Sequence, residues 1–294
     1  MRTWAIPGLI LPLLLTGCWP TVPESEPEAP ILLSDAFLNI AHRGGRRLAP
    51  ENTLAAFENA ESIGAHVLEM DLHSSSEGVL VLLHDDTVDR TTDGSGAVHA
   101  MSFDALQVLD AGYWFSPDSG QSYPHRGQGV VIPSFEQVLE RFAPMPMAIE
   151  IKQAEPSIVA RLVEMIDEFD AYDWVTVASF HQESIEELRA MDPRIHTALG
   201  PSAMLDLWQM SDDEARLWQP PGRFLQAPIQ FQGIDYMSAE LLGRAHLAGI
   251  KTHVWTINNR EEMEALAKMG VDGIMTDDPL LLNEVIKDLG LSVP

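Results

Sequence analysis

The sequence predicts an α/β fold, a (β/α)8 TIM barrel, and three observations carry that expectation. From residue 35 onward, apolar runs of strand length alternate with helical stretches, and repeated β-then-α order implies a parallel sheet. Eight strand candidates fall within about 250 residues, the size of one such barrel. Neither a glycine-rich nucleotide loop nor an internal repeat points elsewhere. An open, doubly wound sheet is the alternative.

The strand candidates are 38–42, 66–72, 79–84, 147–151, 174–179, 195–199, 251–256 and 272–276. A further short run, Arg223 to Ala227, leaves the strand count open by one. Helix candidates are 53–64, 134–142, 156–169, 182–191, 201–217, 238–249 and 261–269. Asn52-Thr53 ahead of Leu54, Phe57, Ala60 and Glu61 reads as a capped amphipathic start. With 294 residues, 46% of them apolar, the chain can bury a sizeable core.

Segment 85–133 interrupts the alternation with Gly112-Tyr113-Trp114-Phe115 and Tyr123-Pro124-His125-Arg126-Gly127-Gln128-Gly129. An insertion after a barrel strand is expected over the C-terminal face, where ligands bind. The competing reading is a surface excursion packed on its own aromatics.

The formal net charge of −26 argues against a nucleic acid partner, which demands basic patches, and against electrostatic docking on anionic lipid. The single cysteine, Cys18, excludes an intrachain disulfide. Its setting is distinctive. Met1-Arg2 is a short basic start, and Trp4 to Leu15 is an apolar run too short to span a bilayer. Leu15-Thr16-Gly17-Cys18 then resembles a bacterial lipoprotein signal, which implies removal of residues 1–17 and lipid on the Cys18 thiol. Trp19 stands where an inner-membrane retention signal carries Asp. By that resemblance the expected location is the cell envelope, on the outer membrane. Residues 18–34, rich in Pro and Glu, read as the lipidated cysteine and a solvated tether, and 35–294 as the folded domain.

The chemistry is concentrated at the ends of apolar runs. Glu69 and Asp71 are two apart on a predicted strand, so both face one side while Leu68, Met70 and Leu72 face the other. Paired acids inside a barrel need a counter-charge, and a divalent cation with hard oxygen ligands supplies one. Glu150, in Met147-Ala148-Ile149-Glu150-Ile151-Lys152, could complete an oxygen triad, with Lys152 beside it for a phosphate oxygen. The alternative is an internal Glu150–Lys152 ion pair. His42 and His84 each end an apolar run and suit acid–base work near neutral pH. Arg43 offers a planar fork for phosphate. Asp85 could orient His84 or cap the following turn. These are the ingredients of metal-assisted phosphodiester cleavage.

Taken together, His42-Arg43-Gly44, Pro50-Glu51-Asn52-Thr53, Glu69-Met70-Asp71, His84-Asp85 with Arg90-Thr91-Thr92-Asp93-Gly94, and Ile149-Glu150-Ile151-Lys152 closely resemble the glycerophosphodiester phosphodiesterase family. Ser179-Phe180, Val254-Trp255-Thr256-Ile257-Asn258 and Gly270 to Asp277 agree, and the resemblance spans about residues 38–285. It implies a barrel of the phospholipase C-like phosphodiesterase type, with a small insertion after the third strand. It implies Glu69, Asp71 and Glu150 as ligands of one Ca²⁺ or Mg²⁺ ion, and His42 and His84 as the acid–base pair. Arg43 and Lys152 would hold the phosphate, Glu51 and Asn52 would line the site, and Phe180 and Trp255 would shape the glycerol pocket. The implied reaction is hydrolysis of glycerophosphodiesters to glycerol 3-phosphate and an alcohol. Lysophospholipase D activity, with segment 111–129 supplying an apolar groove, is the nearest rival. A non-catalytic, surface-tethered binding lipoprotein is the rival of another class.

Overall fold

The computed structural model describes residues 30–231 and 234–294. The expected signal segment, Cys18 and the tether up to residue 29 lie outside the described residues. In chain order the elements are β1 (Leu38–Ala41), α1 (Leu54–Ser62), β2 (Val67–Ser74), β3 (Leu80–Leu82), α2 (Phe103–Gln107), α3 (Phe135–Phe142), β4 (Met147–Ile151), α4 (Val159–Glu168), β5 (Val175–Ala178), α5 (Gln182–Met191), β6 (His196–Thr197), α6 (Pro201–Gln209) and α7 (Asp212–Leu217). They continue with β7 (Phe224–Pro228), the hairpin strands β8 (Gln230–Phe231) and β9 (Ile234–Asp235), α8 (Ala239–Leu247), β10 (Lys251–Trp255), α9 (Arg260–Met269), β11 (Gly273–Thr276) and α10 (Pro279–Leu289).

Eight of these strands form a parallel barrel in the order β6-β5-β4-β2-β1-β11-β10-β7. A parallel bridge between Ala198 and Phe224 links its two ends. The period-2 alternation of each strand sorts its side chains. On β2, Leu68, Met70 and Leu72 pack outward with Phe57, Phe135 and Leu139 in the layer between barrel and helices. Each such burial contributes about 2 kcal/mol. Glu69 and Asp71 are left facing the lumen. Leu38, Ile40, Val67, Phe224 and Met275 fill the lumen below them, so the barrel is a packed core with its chemistry confined to one mouth.

The barrel has the expected eight strands, but its membership differs by one. The 79–84 run is β3, which pairs antiparallel with β2 (Leu72 with Leu82, Ser74 with Leu80) and stands outside the barrel. The 223–227 run is β7, a barrel strand on β10. Both runs are short and apolar, and only the tertiary pairing distinguishes them. Candidate helix 201–217 is two helices, because Ser211 forms a capping box with Glu214 that restarts the chain as α7. Helix α10 was not expected. Its signal was Asp278 as N-cap ahead of Pro279, a helix-start signature. Residues 31–33, expected in the tether, form a 3-10 turn whose Leu32 is buried with Leu38, Ile40 and Phe224. An apolar turn there closes the bottom of the lumen.

The insertion is packed on its own aromatics. Tyr113 and Trp114 stack edge-on at 4.8 Å. Arg126 sits 4.1 and 4.0 Å from the Tyr113 and Tyr123 ring centres, a cation–π arrangement.

Candidate active site

The expected residues converge at the C-terminal mouth of the barrel. Immediately after β1 the chain turns sharply, with Arg43 in the left-handed region (φ 53°). Gly44 is needed here, because a Cβ would sit 2.7 Å from the Cβ of Ala56 on α1. This turn directs the Arg43 amide at Glu69 Oε2, to which it donates at 2.7 Å. Asn52, also left-handed (φ 55°), donates from Nδ2 to Asp71 Oδ2 (2.8 Å) and accepts from the Asp71 amide (3.2 Å). Two turns of the first loop therefore hold the two acids of β2.

Glu69, Asp71 and Glu150 each offer an oxygen within 4.8 Å of the others. Against their three negative charges stand two cations. Lys152 Nζ lies 2.8 Å from Glu150 Oε1 and 3.3 Å from Asp71 Oδ1, and Arg43 Nε lies 3.2 Å from Asp71 Oδ2. Burial and the neighbouring Asp71 push the Glu69 carboxyl well above the usual carboxylate range, and burial pushes Glu150 up as well. Asp71 Oδ1 is buried without a hydrogen-bond partner among the described residues. An all-oxygen set of three carboxylates, with one buried oxygen held only by an ion pair to Lys152, fits a hard divalent cation. Glu150 both pairs with Lys152 and lies within the three-carboxylate cluster.

Each histidine has a carboxylate behind it. His42 Nδ1 donates to Asp277 Oδ1 at 2.6 Å, and its Nε2 is 4.0 Å from Glu69 Oε2. Asp277, at the end of β11, also accepts from Arg46 Nε and Asn258 Nδ2, both at 2.8 Å. His42 and Arg46 hold its carboxyl far below the ordinary range despite its burial. His84 Nδ1 donates to Asp85 Oδ1 at 2.7 Å, so Asp85 orients its histidine. Burial lowers both imidazoles from their ordinary value. His84 reaches the mouth although β3 is not a barrel strand. The antiparallel return brings Leu83 back to donate to the Asp71 carbonyl at 3.1 Å, and the next residue stands over the carboxylates.

A cleft of about 480 Å³ joins these groups. His42, Arg43, Glu69, His84, Glu150 and Lys152 line its polar end. Lys152 is steadied from behind, since Ser179 Oγ donates to the Ile151 carbonyl (2.8 Å) and His181 Nε2 to the Lys152 carbonyl (3.1 Å). Phe180 and Trp255 meet edge-on at 5.9 Å on the other wall, and Phe180 is 54% exposed, so it is not core packing. Beyond them Met204, Leu205 and Trp208 of α6 extend the apolar wall. The insertion supplies no residue to this cleft among the described residues. Its Trp114 and Phe115 line a second crevice with Arg46, Glu51 and Arg90. The residues that sequence reasoning left without a role are Asp277, Arg46, Asn258 and Arg90. A carboxylate at the C-terminal end of a barrel strand is itself a signal, and Asp277 had it.

The Glycerophosphoryl diester phosphodiesterase family profile matches residues 42–281. A glycerophosphodiester phosphodiesterase from Caldanaerobacter subterraneus is 33% identical over 259 residues, covering 86% of this chain and 99% of its own. Two solved structures share the fold. A glycerophosphoryl diester phosphodiesterase domain from Mycobacterium tuberculosis superposes with a TM-score of 0.74 at 21% identity, covering 86% of this chain and 99% of that one. A phosphodiesterase from Oleispira antarctica, solved in complex with the product sn-glycerol-3-phosphate, gives 0.69 at 26% identity, covering 84% and 96%. Fold, mouth and sequence therefore agree, and the chain belongs to the glycerophosphodiester phosphodiesterase family.

Proposed function

We propose that this enzyme hydrolyses glycerophosphodiesters to glycerol 3-phosphate and an alcohol by opposed histidine acid–base catalysis beside a cation-binding carboxylate triad. The observation that carries this reading is that His42 and His84 line one cleft, each with Nδ1 committed to a carboxylate. That commitment leaves both Nε2 atoms for substrate. His42, the more enclosed of the two, takes the proton of the attacking hydroxyl. His84, whose side chain is 32% exposed, gives a proton to the departing alcohol, which must reach solvent. Arg43 and Lys152 hold the phosphate oxygens, and Phe180 and Trp255 flank the glycerol. Glu69, Asp71 and Glu150 would hold Ca²⁺ or Mg²⁺, and the ion would supply charge neutralisation at the phosphorus centre.

A second reading, lysophospholipase D activity, is favoured by one observation. The apolar wall it needs comes from Met204, Leu205 and Trp208, in place of the expected 111–129 segment. A lipidated Cys18 on a tether that ends before the turn at Ile31, in the cell envelope, would present either site to products of lipid turnover. The test assays glycerol 3-phosphate release from glycerophosphocholine beside choline release from lysophosphatidylcholine, before and after chelation. The first reading expects the former to dominate, to vanish with chelator and to return with Ca²⁺ or Mg²⁺. Chelator-resistant turnover would contradict the triad's role, and faster lysophosphatidylcholine turnover would favour the second reading.

A further inference from the structure

The geometry points to Arg90 as a positioning residue that locks the acid–base His84 and the phosphate-binding Arg43 to one another. Arg90 lies in the insertion, on the loop that follows His84. Its guanidinium grips two carboxylates at once. Nε donates to Asp85 Oδ2 at 2.6 Å and NH2 to Asp85 Oδ1 at 3.2 Å. NH1 and NH2 donate to Glu51 Oε2 and Oε1, both at 2.8 Å, a bidentate pair. Each carboxylate in turn holds a residue of the cleft. Asp85 accepts from His84 Nδ1 at 2.7 Å, and Glu51 accepts from Arg43 NH1 at 2.8 Å.

The chain of bonds His84–Asp85–Arg90–Glu51–Arg43 is unbroken and bridges two loops, each of which is also anchored on β2 at Asp71. Glu51 belongs to the loop after β1, and Asp85 to the loop after β3. A planar five-donor fork can serve both carboxylates together, whereas an ammonium cannot reproduce that geometry. Arg90 is itself 45% exposed at its side chain, but Glu51 is only 12% exposed. Removing Arg90 would leave the buried Glu51 with Arg43 as its remaining partner, drawing that guanidinium from phosphate duty. It would also leave Asp85 free to swing, and the His84 ring with it.

This inference rests on the proposed roles of His84 and Arg43, and its test separates the two failures. The full chain and its Arg90→Gln and Arg90→Lys variants are compared on glycerophosphocholine and on the 4-nitrophenyl ester of glycerol 3-phosphate, whose leaving group needs no proton. Supporting residues of this kind are worth about 10- to 100-fold in activity. On glycerophosphocholine both variants are expected to lose about 30-fold in kcat/KM, through a lower kcat and a higher KM. On the nitrophenyl ester the kcat loss should shrink to about threefold while the higher KM persists. Melting temperatures close to wild type would confirm that folding is not the cause. If Arg90→Gln is unstable, Glu51→Gln replaces it with the KM effect alone expected. Full rescue by Arg90→Lys, or equal kcat losses on both esters, would overturn the inference. A wild-type enzyme inactive on glycerophosphocholine would instead overturn the proposed function.

Discussion

The two histidines of the cleft are supported by different parts of the molecule. His42 belongs to the barrel. It follows β1, its carboxylate Asp277 follows the neighbouring β11, and Arg46 and Asn258 brace that carboxylate. Its side chain is 10% exposed. His84 belongs to an excursion. Its carboxylate is the next residue in sequence, the brace is Arg90 of the insertion, and its side chain is 32% exposed. The same imidazole–carboxylate unit is thus built once from the rigid frame and once from an added loop. The proposed roles follow this difference: the enclosed frame suits the proposed base His42, and the more open excursion suits the proposed acid His84, whose leaving group must reach solvent.

That contrast predicts unequal responses to the same substitution. Asp277→Asn removes a carboxylate that accepts from three side chains, and loss of an orienting carboxylate of this kind can cost about 10⁴-fold. We expect kcat to fall about 10³-fold or more, with a clearly lowered melting temperature. Asp85→Asn acts on a half-buried pair whose bond water can partly take over, so a loss of about 50-fold is expected, with little change in melting temperature. Steady-state kinetics and thermal unfolding of the two variants check this. Equal losses would show that frame and excursion hold their histidines alike.

A third histidine sharpens the comparison by having no carboxylate. His253, in the lumen on β10, is fully buried, and neither ring nitrogen has a hydrogen-bond partner among the described residues. Burial lowers its pKa to about 4 from 6.5. A folded-state pKa below the unfolded value means that the unfolded chain binds the extra proton. The neutral ring therefore costs nothing in pH dependence above about 6.5, and stability falls progressively as pH drops from about 6.5 to about 4. Over that window the loss is about 3 kcal/mol. His253→Leu should flatten the melting-temperature profile between those pH values and leave turnover of glycerophosphocholine unchanged. A profile as steep as wild type would contradict it.

Sequence alone carried the frame further than the excursion. The alternation in Leu68-Glu69-Met70-Asp71-Leu72 already separated core from site, because the period of a strand is fixed by its backbone. The residues at the ends of β1, β2 and β4 were legible for the same reason. The exchange of β3 for β7 was not, since two short apolar runs differ only in which strand edge accepts them. The bracing by Asp277, Arg46 and Arg90 was hidden as well. Asp277 lies 235 positions from His42; closure of the barrel makes its first and last strands neighbours, but not which side chains at their ends meet. The cleft's apolar wall from α6 was missed because its spacing reads as ordinary helix amphipathicity.

The opposed roles of His42 and His84 are tested most directly by changing the leaving group. Turnover by His42→Ala and His84→Ala is measured on glycerophosphocholine and on the 4-nitrophenyl ester of glycerol 3-phosphate. Both variants should lose about 10²- to 10⁴-fold on glycerophosphocholine. Nitrophenolate departs without a proton, so His84→Ala should recover to within about tenfold of wild type on that ester, while His42→Ala remains inactive on both. Recovery by His42→Ala instead, or by neither, would contradict the assignment.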